Sequence, residues 1–145
     1  RYIEAPIVHA IHETAAHLKK HGITKVGILA TDGTIRSRLF QRELENHGME
    51  VLIPSPQGQK CVMSVIYDDI KANRPADMEK FRFASDELRT QGAQAIILGC
   101  TELSLIKRDC HIGAGYLDAM EVLAQTCVRL CGGKLKEEYQ NLISK

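Results

Sequence analysis

Lys25–Ala30 (KVGILA), followed at once by Thr31-Asp32-Gly33-Thr34, is an almost unbroken apolar run that gives way to a polar turn. Lack of alternation in so short a run suits a strand covered on both faces, as in a parallel sheet flanked by helices. The pattern around it repeats the theme. Upstream, Ile7, Val8, Ile11, Ala15 and Leu18 recur at helical spacing, and Gly22 ends that helix behind Lys19 and Lys20, cations suited to the negative end of its dipole. Downstream, a helix is predicted from Thr34 to His47, with Ile35, Leu39, Phe40 and Leu44 as its buried stripe, then a strand from Glu50 to Ile53. Met63, Ile66, Tyr67 and Ile70 predict a helix ending near Asn73 and Pro75, and Met78, Phe81, Ala84 and Leu88 another from Ala76 to Gln91. Ala95–Leu98 is the clearest strand; an extended piece at Tyr116-Leu117, a helix from Ala119 to Leu130 and an exposed helix in the tail Lys134–Lys145 complete the reading. Strands alternating with helices give an α/β fold, a Rossmann-like three-layer domain with a short, mainly parallel sheet.

Composition narrows the function. The 145 residues suffice for one domain with a sizeable core. The formal net charge is +1, Trp is absent and aromatics make up 5%, so neither a basic footprint nor a base-stacking platform for nucleic acid is present. Apolar runs such as Ala95–Leu98 are too short to cross a bilayer, and no apolar signal-peptide core follows Arg1. A cytoplasmic location is therefore expected. Five cysteines without a secretory signal fit reduced thiols better than a disulfide framework. Cys127 and Cys131 share a helix face, but no second Cys or His pair stands at zinc-ligand spacing, so no metal site is expected. The chain opens at Arg1 and runs straight into a helical pattern, which reads as a fragment or a processed chain.

In parallel α/β sheets ligands sit outside the carboxyl ends of the strands, and two polar motifs stand there. In Thr31-Asp32-Gly33-Thr34, the glycine permits a tight turn, and the hydroxyls and helix-start N–H groups form a cradle for a substrate carboxylate. The plainer reading is a helix cap. In Gly99-Cys100-Thr101-Glu102, a thiol at a helix start gains stabilisation of its thiolate, which moves its pKa towards neutrality where a general base works best. Thr101 is placed to donate to a substrate carboxylate and Glu102 to pair with a substrate ammonium. The plainer reading is a buried cysteine beside a cap.

Taken together, four stretches resemble one family. KVGILATDGTIRSRLF (25–40) resembles the "VGLLAT-x-GT-x-x-S-x-x-Y" segment of aspartate/glutamate racemases, and GAQAIILGCTELSLI (92–106) their second cysteine motif, "GCTELPLL". QKCVMSVIYDDIK (59–71) resembles their "Q-x-x-V-M-x-x-I-Y-D-x-x-K" helix, and YLDAMEVLAQTCVR (116–129) their "IDS-x-x-VLA-x-x-A" segment. Glu102 after Cys-Thr resembles the aspartate-type branch. Phe40 stands where the family usually has Tyr, and Ser104 where it has Pro.

The resemblance implies two similar α/β domains facing across a cleft, each donating a cysteine. One thiolate removes the α-proton and the other cysteine returns a proton on the opposite face, without pyridoxal phosphate, metal or any other cofactor. It makes Cys100 the catalytic residue of this chain. Thr31, Gly33, Thr34 and Thr101 are expected to hold the α-carboxylate, Lys71 the side-chain carboxylate of aspartate, and Glu102 the ammonium. The first cysteine motif, usually "PCNTAH", is not found around any other cysteine here, so this half is expected to be inactive unaided. Residues 1–22 are expected to be a linker helix, 23–108 the racemase-like α/β domain, and 109–145 a segment that packs on the first domain. The expected partner is a small amino acid, aspartate or glutamate, with no nucleic acid or membrane, and a second copy of the chain in a homo-oligomer. A hydantoin racemase, isomerase or decarboxylase on the same scaffold, or a non-catalytic binding domain for an anionic metabolite, are the alternatives.

Overall fold

A computed structural model describes residues 7–145 of the chain. Its sheet has strands β1 (Lys25–Leu29), β2 (Glu50–Leu52), β3 (Ala95–Leu98) and β4 (Tyr116–Asp118), all parallel and ordered β2-β1-β3-β4. Because side chains alternate across a strand, each strand feeds both faces. Val26, Ile28, Ile97 and Leu117 meet helices α1 (Ala10–Lys20), α3 (Leu39–Asn46) and α7 (Ala119–Leu130) on one side. Leu29, Ile96, Leu98 and Tyr116 meet α4 (Pro56–Ser64), a π-helical continuation Val65–Ile70, α5 (Met78–Thr90) and α6 (Thr101–Asp109) on the other. β3 is buried at every position, as its uninterrupted apolar run requires. The three-layer fold is the expected one. Among the described residues no helix is long and apolar enough to cross a membrane.

Three local expectations need correcting. The helix read over 34–47 is two: α2 (Asp32–Ser37) ends at Arg38, whose φ of 56° is left-handed, and α3 restarts after it. A left-handed residue resets the helical phase. Leu39, assigned to the buried stripe, is therefore 54% exposed, and the stripe becomes Phe40, Gln41 and Leu44. The first helix begins at Ala10, capped by the His9 ring, and leaves Ile7 exposed; Arg1–Pro6 of the expected linker helix lie outside the described residues.

The charged tail is not a helix beyond one 3₁₀ turn, Glu137–Tyr139. It folds back instead. Ser144 N donates to Tyr116 O and Gly115 N to Ser144 O, both at 2.8 Å, and Leu142 is buried. Those main-chain bonds occupy groups at the β4 edge that a free helix would leave unsatisfied. Residues beyond 108 thus contribute a strand to the sheet and a helix, α7, that packs against α1.

Helix α5 lies so close to β1 that a Cβ added at Gly27 would stand 2.8 Å from Leu88 Cδ1 and 3.1 Å from Leu88 Cβ. Leu88 is fully buried and has nowhere to retreat. Gly27→Ala is expected to destabilise the chain by about 1–3 kcal/mol through overpacking. An unchanged urea midpoint would show that the strand and helix are not held at this separation.

Candidate active site

The strand order fixes where a ligand can enter. From β1 the chain moves outward to β2, then crosses to β3 on the other side of β1, so the topological switch lies between β1 and β3. Leu29 and Leu98 are register partners, and Thr31 and Cys100 each follow two residues later. Gly99 N donates to Leu29 O at 2.8 Å, carrying the ladder one residue past the strand. A Cβ at Gly99 would come 3.2 Å from Ala30 Cβ and 3.4 Å from Leu29 O; glycine lets the two strand ends stay in contact.

Cys100 occupies the N-cap position of α6 but makes no capping hydrogen bond. Its Sγ instead donates to Glu102 Oε2 at 2.7 Å, to which Thr101 Oγ1 also donates at 3.1 Å. The other Glu102 oxygen pairs with Lys71 Nζ at 3.3 Å. Lys71 follows the π-helical stretch, closes it by donating its N–H to Ile66 O at 2.9 Å, and lies 4.9 Å from the centre of the Tyr67 ring. The π-helical stretch leads directly into Lys71, whose ammonium reaches the strand-end cluster. A thiol, a carboxylate and an ammonium therefore stand in line.

The charges of this line oppose the sequence-based expectation for the thiol. Burial, then the hydrogen bond to the Glu102 carboxylate, push the Cys100 pKa up to about 11, against smaller opposing effects of the Glu102 N–H and Lys71. The same thiol hydrogen bond leads the causes that hold the Glu102 carboxyl down at about 2. Both shifts keep the proton on sulfur. The helix start is present as read, but burial of the thiol and the carboxylate beside it outweigh the favourable Glu102 N–H.

Thr31 caps α2: its Oγ1 accepts from Thr34 N at 3.4 Å and lies 3.1 Å from Thr34 Oγ1. The capping interpretation is thus realised, while Gly33 stays exposed with only Thr31 Oγ1, at 4.0 Å, near an added Cβ. Lys71, Cys100, Thr101 and Glu102 form one connected group; Thr31, Gly33 and Thr34 form a second at the neighbouring strand end. Gln59, given no role from the sequence, secures this second group: its Nε2 donates to Ala30 O at 3.0 Å and Asp32 Oδ1 at 2.9 Å. Met63 Sδ accepts from Asp32 N at 3.3 Å. Both residues lie in the stretch that ends at Lys71, where their polar or sulfur atoms one turn apart were the available signal. Ser104 likewise has a task, donating to the buried Asp118 at 2.9 Å. The adjoining groove of about 500 Å³ is lined by Asp32, Gln59, Met63, Ser64 and Tyr67, with Cys100 outside its lining.

A doubly covered parallel sheet with a thiol, a carboxylate and an ammonium at its switch point places the chain among the α/β domains built on parallel sheets. The chain belongs to the Asp/Glu/Hydantoin racemase family, whose profile matches residues 1–127. It is 31% identical over 126 residues to a Pectobacterium carotovorum protein known by its place in the pnlA 3′ region, covering 86% of this chain and 84% of that one. The broad specificity amino-acid racemase RacX of Bacillus subtilis is 26% identical over 126 residues, covering 87% of this chain and 55% of its own. The Picrophilus torridus aspartate racemase structure superposes with a TM-score of 0.78 at 26% identity, over 97% of this chain and 59% of that one. The chain thus spans little more than half the length of these two racemases.

With its pKa near 11, the Cys100 thiolate is a small minority at neutral pH, and alkylation should quicken about tenfold per pH unit up to that value. Replacing Glu102 by Gln removes the adjacent negative charge and should move the pKa back towards an ordinary cysteine. Each unit of that shift is worth about tenfold in thiolate at pH 8. Mass-spectrometric alkylation rates in which Glu102→Gln leaves Cys100 unchanged would show that the carboxylate does not hold the thiol proton.

Proposed function

We propose that this chain supplies one half of the active site of a cofactor-independent amino-acid racemase acting on aspartate. The observation that carries this reading is the line Cys100–Glu102–Lys71 at the switch point of the sheet. Racemisation needs an α-proton removed from one face and another returned on the opposite face. Cys100 is held as a thiol, the form that returns a proton, so it acts here as the acid, and a second base facing it acts first. That base lies in the complementary half. In the reverse direction the roles exchange, and Cys100 must give up its proton before it can act.

The line also matches the charges of the substrate. Aspartate carries an ammonium and a distal carboxylate, the counterparts of Glu102 and Lys71. Binding exchanges the Lys71–Glu102 pair for two pairs to substrate: Lys71 turns to the distal carboxylate and Glu102 to the ammonium. The ammonium then offsets the negative charge that keeps the thiol protonated, which makes Cys100 easier to ionise once substrate is present. Thr31, Thr34 and Thr101 offer hydroxyls to the α-carboxylate, and the open surface at Gly33 admits it. Donors fixed there stabilise charge as it develops next to the carboxylate, more in the transition state than in the ground state.

A non-catalytic domain binding an anionic metabolite is the second reading, favoured by the same raised thiol pKa. A second copy of the chain is the proposed partner for the exposed apolar residues Val128 and Leu130 at the end of α7, and the cytoplasm is the proposed location.

In the complete enzyme, Lys71→Ala should weaken aspartate binding by roughly 1.5–3 kcal/mol, the worth of a charge-assisted hydrogen bond, and leave alanine binding nearly unchanged. Calorimetry giving equal losses for both amino acids would remove Lys71 from side-chain recognition. The chain alone should form no D-aspartate from L-aspartate by chiral chromatography; measurable conversion would show that it needs no second half.

A further inference from the structure

We propose that His12, Glu43 and His47 form a site for a divalent transition-metal ion that clamps α1 to α3, at the far end of α3 from the Thr31 turn. One ligand-type atom of each residue lies within 4.8 Å of the others. His12 Nδ1 is 2.7 Å from Glu43 Oε1, and His47 Nδ1 is 3.5 Å from the same oxygen. A tetrahedral zinc-like ion, with bonds of about 2.0–2.2 Å, sets its ligand atoms about 3.3 Å apart. The His12–Glu43 spacing is shorter than that value and all three ligand-type atoms fall within 4.8 Å of one another, so side-chain rotations can draw them round one ion. The carboxylate is shared between two imidazoles whose rings meet edge to face, centroids 5.6 Å apart.

Two imidazoles and one carboxylate are a ligand set suited to Zn²⁺, Co²⁺ or Ni²⁺ and poorly suited to Mg²⁺ or Ca²⁺, which take oxygen. The His12 side chain is 56% exposed, so the cluster is open to solvent, from which an ion and a water as fourth ligand can enter. Helix packing supports the arrangement. Glu43 and His47 are four apart, one above the other at the end of α3, while His12 reaches across from α1. His47 Nδ1 is also 2.9 Å from Glu43 O; donating to that carbonyl orients the ring and leaves Nε2 to take the ion. Lys19 Nζ, donating to His47 O at 2.8 Å, brings a positive charge to the same end. Glu43 must therefore supply the charge balance for a bound cation. Sequence spacing showed no such site because 31 residues separate His12 from Glu43.

The site is separate from the proposed chemistry at Cys100 and does not depend on it. Co²⁺ titration of the 145-residue chain tests it, because the d–d bands of nitrogen and oxygen ligation are distinct from the intense charge-transfer band of thiolate ligation by the free cysteines. The expected result is one equivalent bound with nitrogen–oxygen bands, a raised Tm, and no comparable shift with Mg²⁺. His12→Ala, at an exposed position that should leave folding intact, and Glu43→Gln should each weaken Co²⁺ binding at least about tenfold. Unchanged affinity in both variants, a spectrum dominated by thiolate charge transfer, or no binding at millimolar Co²⁺ would overturn the proposal.

Discussion

The contact between the ends of β1 and β3 is the constraint on which the site rests. Leu29 and Leu98 pair in the sheet, Gly99 N extends the ladder to Leu29 O, and the lack of a side chain at Gly99 lets Ala30 approach it. Because the chain leaves β1 in one direction and returns beyond it in the other, no crossover helix covers the space above this contact. Two polar turns that are far apart in sequence therefore open side by side. The apolar runs of both strands, buried on both faces, fix that juxtaposition, since moving either would expose a continuous row of aliphatic side chains at about 25 cal/mol per Å².

On this rigid base stands a group whose charges are balanced against one another. Glu102 accepts from Cys100 and Thr101 and pairs with Lys71, so each member sets the condition of the next. Lys71 is nearly half exposed, and a pairing so open to solvent is weak. The thiol is only partly exposed and sits beside a carboxylate, so it resists ionisation until that charge is answered. The π-helical turn after α4 and the Gln59 and Met63 contacts to the Thr31 turn show how much of α4 serves to position this surface.

The fold was legible because burial on both faces leaves a plain mark: KVGILA and AIIL read as strands and are strands. Amphipathic stripes located α5 and α7 within a few residues. Positions set by single backbone angles or by distant partners were not legible. Nothing in Ser37-Arg38-Leu39 announces a left-handed residue, and the tail Lys134–Lys145 has a helix-like composition whose outcome is decided by edge groups of β4. At the strand ends, the pairing of the polar residues with one another could not be read. Lys71 and Glu102 were each assigned to substrate, and only the folded chain shows them bound to each other. The thiol pKa was misjudged because its burial, the larger cause, and the turn of the Glu102 side chain back towards sulfur both depend on the folded chain.

The central claim is that Cys100 serves one face of a substrate Cα. It is tested most directly by solvent deuterium exchange in the complete enzyme, comparing the wild type with Cys100→Ser and starting from each enantiomer of aspartate. The wild type should racemise both and incorporate deuterium at Cα. The variant should lose racemisation in both directions yet still exchange the α-proton of the one enantiomer that faces the remaining base. Racemisation that survives in Cys100→Ser at the wild-type rate would contradict the account.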